Sequence, residues 1–79
     1  MDNLERYNNV FKAEFNVLDE KLTNDFMVGS IKQWDSIKHL SLVTAIEDEF
    51  DIMLDSEDIL DFKSYENGRK ILAKYDVIV

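Results

Sequence analysis

Asp35, Ser36 and His39 lie close together in "WDSIKHL", and they are the residue types of a hydrolytic nucleophile, its base and the acid that orients the base. A working set of that kind needs side chains that converge on a pocket, with separate donors for the oxyanion. Three residues on one helical turn, with no orienting groups and no pocket around them, do not meet that need. Serine and aspartate are also favoured N-caps, whose loss costs about 1 kcal/mol, so either Asp35 or Ser36 can be a cap and nothing more. A third use of the serine follows from the helix itself. Unpaired N–H groups and the positive end of the helix dipole suit the first turn to an anion, so a phosphate ester on Ser36 would be tolerated and a long group beyond it would reach into solvent.

The elements that must position these residues can be read from the spacing of apolar side chains. Leu4, Tyr7, Phe11, Phe15 and Leu18 recur at steps of three and four and predict an amphipathic first helix, with Asp2 and Glu5 as a capping box. From Asp19 to Asp35 the pattern lapses into a long loop with turn signals at Thr23-Asn24-Asp25 and Val28-Gly29-Ser30. Leu22, Phe26, Met27, Ile31 and Trp34 are placed to pin it, and a loop of this length in a small domain carries function or a short helical turn. A second, central helix is expected from Asp35-Ser36 to about Phe50, with Ile37, Leu40, Val43, Ile46 and Phe50 as its stripe and Leu42 and Ala45 widening it. "DSEDIL" predicts a short third helix capped by Asp55 or Ser56 and carrying Ile59 and Leu60. "SYENGRKILAKY" predicts a fourth, capped by Ser64, with Tyr65, Leu72 and Tyr75 on one face. Gly68 falls on that face, where glycine costs about 1 kcal/mol against alanine and close helix contact is its explanation. The fold class is therefore all-α: one domain over residues 1–79, a small four-helix bundle of three longer helices and one short one, with a long loop between the first and second.

Composition narrows the chemistry. A chain of 79 residues buries only about 60% of its unfolded surface, which disfavours a deep enclosed active site. With no cysteine and a single histidine, neither a disulfide scaffold nor a zinc site is expected, and any thiol the protein uses must be attached to it. We expect no metal, no membrane span and, from the start "MDNLERYNNV", no signal peptide, hence a cytoplasmic protein, and separately we expect a monomer. The net charge of -8 repels nucleic acid and favours basic protein partners. No Lys or Arg lies between His39 and Phe62, whereas Glu47, Asp48, Glu49, Asp51, Asp55, Glu57, Asp58 and Asp61 all do. "DIMLDSEDILD" is a poor calcium loop, since its acids alternate with apolar residues and it has no glycine for the turn.

"WDSIKHLSLVTAIEDEFDIMLDSEDI" resembles the acyl carrier protein family, whose signature is Asp-Ser-Leu or Asp-Ser-Ile at the start of the second helix, an apolar helix with a Glu-Glu-Phe-type ending, and a short acidic helix after it. Length, loop and helix order extend the resemblance over essentially the whole chain. It implies an acyl-carrier type of bundle and a carrier rather than an enzyme. On that resemblance Ser36 is where a phosphopantetheinyl transferase attaches phosphopantetheine from coenzyme A, and Asp35 is the other signature residue. The arm supplies the missing thiol and loads acyl or aminoacyl groups as thioesters for loading and transferring enzymes with basic docking patches. The partner-binding candidates are Ile37, Lys38, Ser41, Glu47, Asp48, Asp55 and Glu57. Candidates for sheltering part of the cargo are Leu40, Thr44, Ala45, Ile46 and Ile59, each with a competing reading as core packing. Carriers of fatty acid synthesis have acids soon after the modified serine, where this chain has Lys38, His39 and Ser41, and Trp34 also departs from that pattern. Both departures point to a specialised pathway, with a fatty acyl, polyketide, aminoacyl or sugar-modifying acyl cargo left open. Trp34 is read as a loop anchor, with contact to the arm as the other reading. The alternative from a different class is an unmodified helical adaptor that binds a basic protein through its acidic face.

Overall fold

Four helices and one 3-10 turn account for the regular structure in the computed structural model, which describes residues 2–79. In order they are α1 (Asn3–Phe15), the 3-10 turn (Asp19–Lys21), α2 (Ser36–Phe50), α3 (Ser56–Asp61) and α4 (Tyr65–Ala73). The domain is an all-α bundle of three longer helices and one short one, and the described residues form no strand, only isolated bridges. Each longer helix starts on a side-chain cap: the Asp2 carboxylate accepts from the Glu5 N–H, Asp35 from Lys38 and Ser64 from Asn67, all at 2.8 Å. Asn16 and Asp51 end α1 and α2 in the left-handed region, at φ 55° and 54°, which short polar side chains tolerate.

Phe11 is the hub of the core. At zero exposure, it lies 4.9–6.4 Å, centroid to centroid, from Tyr7, Phe15, Phe26, Trp34, Phe62 and Tyr65. Two of those rings, Phe26 and Trp34, come from the long loop, so the loop is part of the core. Its backbone is tied down as well, because the Val28 N–H donates to the Lys63 carbonyl at 2.8 Å and the Tyr65 N–H donates to the Phe26 carbonyl at 2.9 Å. Gly68 in α4 faces this cluster. A Cβ there would fall 2.3 Å from both Phe62 Cζ and Tyr7 Oη, which accounts for the glycine by close approach, as the sequence suggests.

Three readings of the apolar pattern need correction. In α2 the buried face is Leu42, Val43 and Ile46, with His39, Ala45 and Phe50 half-buried, while Ile37 and Leu40 are 81% and 62% exposed. Steps of three drift around a helix: nine residues at about 100° each put Ile37 half a turn away from Ile46. Leu18 lies beyond the end of α1 and is exposed, and Tyr75 lies beyond α4. One acid of the anionic segment points inward. Asp58 is 6% exposed, and its carboxylate accepts from Lys74 Nζ and from Tyr75 Oη, each at 2.5 Å. The lysine first and then the tyrosine hold this carboxyl below the usual aspartate range. Tyr75 Oη also accepts from the Asp55 N–H at 2.9 Å, so the residues after α4 clasp both ends of the first turn of α3.

Candidate functional site

Ser36 is the first residue of α2, and it is not the cap. Asp35 has the extended backbone of an N-cap, its Oδ1 takes the Lys38 N–H and its carbonyl takes the His39 N–H at 2.8 Å. The capping work is therefore complete without the serine. Ser36 is exposed, and its hydroxyl has no hydrogen-bond partner among the described residues. The N–H groups of Ser36 and Ile37, as the first two of the helix, have no carbonyl four residues back to pair with. A hydroxyl held at this place has solvent on one side and a positive helix end beneath it.

Beside it opens a groove of about 570 Å³, within the ~300–1,000 Å³ common for small-molecule sites. Its walls come from three parts of the chain: Val28 and Trp34 from the loop, Asp35, Ser36, His39 and Leu40 from the start of α2, and Ile59, Leu60, Phe62 and Lys63 from α3 and the turn after it. Most of this lining is apolar. Lys63 adds an ammonium with no ion pair among the described residues. The expectation that no pocket surrounds Asp35, Ser36 and His39 is overturned by this groove, whose α3 wall is remote from them in the chain.

His39 spans the groove. Its Nδ1 accepts from Trp34 Nε1–H at 3.1 Å, and its Nε2 lies 2.7 Å from the Ile59 carbonyl oxygen. An indole nitrogen only donates and a carbonyl only accepts, so these two partners fix the neutral tautomer with the proton on Nε2. The Ile59 carbonyl is one of the orphan acceptors at the end of a helix of six residues. The amide that would have served it in a longer helix, Lys63 N–H, donates to Asn67 Oδ1 instead at 3.1 Å. With both imidazole nitrogens engaged and the Asp35 carboxylate used as a cap, the three residues that suggest a hydrolytic set share a groove without forming a proton relay to Ser36.

No family model matches the chain, and no curated protein matches it.

The remaining site residues read from the sequence fall into separate places. Leu40 and Ile59 both line the groove, one from α2 and one from α3; Thr44 is exposed, Ile46 has zero exposure in the core, and Ala45 lines a different depression with Val10, Ala13 and Glu14 on the α1 side. Of the docking candidates, Ile37, Asp48, Asp55 and Glu57 are exposed and Lys38 is half-buried. Ser41 instead donates its hydroxyl to Glu14 of α1, and Glu47 accepts from the Leu54 N–H at 2.8 Å, closing the α2–α3 connection. The acidic segment is thus divided: Glu47, Glu49 (paired with Arg6 at 2.8 Å) and Asp58 are internal ties, and Asp48, Asp51, Asp55, Glu57 and Asp61 face outward. Val28, Leu60, Phe62 and Lys63 are groove residues that sequence reasoning does not single out as a site. Their only signal is that they flank turns on either side of the loop and of α3.

Proposed function

We propose that this protein is a carrier, modified on Ser36 with phosphopantetheine and presenting acyl or aminoacyl thioesters to partner enzymes. One observation carries this reading: the Ser36 hydroxyl does no structural work, yet it stands at the start of α2 on the rim of a largely apolar groove. The residues present fit such a group. Nothing in the fold competes for Ser36, the free N–H groups of the first turn and the Lys63 ammonium suit a phosphodiester, and the groove suits an extended, mostly apolar arm. When attached, the group supplies the thiol that a chain without cysteine lacks. The chain's own residues then have defined tasks. Asp35 orders the first turn, Ser36 is the attachment point, and Leu40, Ile59 and Leu60 give the arm an apolar surface to rest on.

Exposed Ile37 beside Ser36 and the outward acids Asp48, Asp55 and Glu57 form the partner-facing surface in this reading. Acidic charge there accelerates encounter with basic patches, and modest affinity allows one carrier to serve several enzymes. Lys38 near the serine makes the docking face mixed in sign and is the basis for proposing a specialised pathway. Intact mass tests the reading. After incubation with coenzyme A and a broad-specificity phosphopantetheinyl transferase, wild type gains one phosphopantetheine and Ser36→Ala gains none. A folded wild-type protein that gains no mass removes the carrier reading and favours an unmodified adaptor.

A further inference from the structure

We infer that His39 sets the length of cargo this carrier can shelter: short acyl groups fit within the groove, and longer chains are kept out of the core. This rests on the carrier reading above. The inference comes from the bar that His39 makes across the groove. Trp34 Nε1–H to Nδ1, 3.1 Å, and Nε2–H to the Ile59 carbonyl, 2.7 Å, link the loop wall to the α3 wall through one imidazole. The ring is also packed, with Trp34 at 6.2 Å in a near-parallel arrangement and Phe62 at 6.4 Å edge-on.

What lies behind the bar explains its effect. On α2 the face that begins at His39 continues through Leu42, Val43 and Ile46, which are 0%, 3% and 0% exposed, and Phe62 across from them is also at zero exposure. This is the apolar interior that a long alkyl chain would need to enter. To pass, the chain would have to break two hydrogen bonds and leave the Ile59 carbonyl and the Trp34 N–H unpaired against hydrocarbon, which opposes the gain from burying methylenes. A short group stops before the bar and meets only Val28, Leu40, Ile59 and Leu60.

The test loads acetyl, butyryl, octanoyl and dodecanoyl groups on wild type, His39→Ala and His39→Gln by transferase from the corresponding acyl coenzyme A, with each product checked by intact mass. For wild type the melting temperature rises with the short groups and is flat from butyryl onward. His39→Ala, with the bar removed, gains a further ~5 °C or more between butyryl and dodecanoyl, a shift that a small domain registers clearly. Glutamine offers one acceptor and one donor, so His39→Gln keeps the bar and follows the wild-type plateau. A wild-type melting temperature that climbs through dodecanoyl overturns the inference even if His39→Ala fails to fold, and so does a His39→Gln series that climbs. Failure to gain mass is a different result, which removes the carrier reading. Trp34, the sole tryptophan, gives a readout on the unmodified proteins: its emission shifts to the red in His39→Ala and stays at the wild-type position in His39→Gln. Identical spectra for all three would show that His39 does not hold the groove wall, and would overturn the proposal.

Discussion

Replacing Gly68 with alanine should destabilise this protein, although the same change on an exposed helix stabilises by about 1 kcal/mol. Non-bonded carbons rest at about 3.5–4.0 Å, and the new Cβ would fall 2.3 Å from both Phe62 Cζ and Tyr7 Oη, so something must move by more than an ångström. Neither neighbour can yield freely. Phe62 has zero exposure and packs in the ring cluster around Phe11, and Tyr7 is also at zero exposure with its hydroxyl donating to the Tyr65 carbonyl at 2.6 Å. Overpacking of a filled core costs about 1–3 kcal/mol, and a buried hydrogen bond pulled apart costs about 1–3 kcal/mol more. After the propensity gain is subtracted, the net loss is about 1–5 kcal/mol. At roughly 4–8 °C per kcal/mol for a domain of this size, the midpoint of that range lowers the melting temperature by about 10–25 °C. Thermal unfolding followed by circular dichroism measures it. Adding Tyr7→Phe, which removes one of the three clashing atoms, should make the pair less destabilised than the sum of the single changes. A Gly68→Ala protein that melts at or above wild type would refute the argument, because the propensity term would then have outweighed the contact.

Other expectations separate the roles of neighbouring residues. Asp35→Ala should cost about 1 kcal/mol as a lost N-cap, while Ser36→Ala, whose hydroxyl bonds nothing, should leave the melting temperature within about 2 °C; equal losses would show that the serine shares the cap. Asp58 has a folded pKa below its unfolded value, so its contribution is fully present above the ordinary aspartate range, ~3.9, and is lost as pH falls through the folded value. Melting temperature against pH should therefore fall less steeply on the acid side for Asp58→Asn than for wild type, and parallel curves would exclude this linkage. Lys74 has the opposite sign: the Asp58 carboxylate raises its pKa, so its contribution holds below the ordinary lysine value of ~10.4 and is lost above it, and Lys74→Met should remove that alkaline decline. Arg6→Ala should cost under about 1 kcal/mol, with a smaller loss in high salt, since its pair with Glu49 is one-third exposed on both sides.

Much of the fold was legible from local chemistry. Asp35-Ser36 marked the start of α2, Ser64 the start of α4 and Asp2 the start of α1, because caps act within a turn of their own backbone. Gly68 was legible for a similar reason, as an expensive residue on an apolar face. What could not be read was polar burial. His39 and Asp58 take inward positions because Trp34, the Ile59 carbonyl, Lys74 and Tyr75 satisfy them, and most of those partners are brought near only by tertiary packing. Reading apolar residues at steps of three then assigned Ile37 and Leu40 to the core and left His39 unplaced. The candidate site shows the same division. Its serine, aspartate and apolar Leu40 and Ile59 were found in the sequence, whereas Phe62, Lys63, Leu60 and Val28 join them through turns whose course the pattern does not encode.

The two backbone bonds between the loop and the turn before α4 carry a consequence for motion. The Val28 and Tyr65 amides can exchange with solvent only when the loop separates from the α3–α4 junction, and that separation also parts the loop wall of the groove from its α3 wall. Protection at these two amides therefore measures how often the groove comes apart, independently of any ligand. If it matches the amides at the centre of α2, the groove exists whenever the protein is folded; if it is weaker, loop and groove form a cooperative unit that opens on its own.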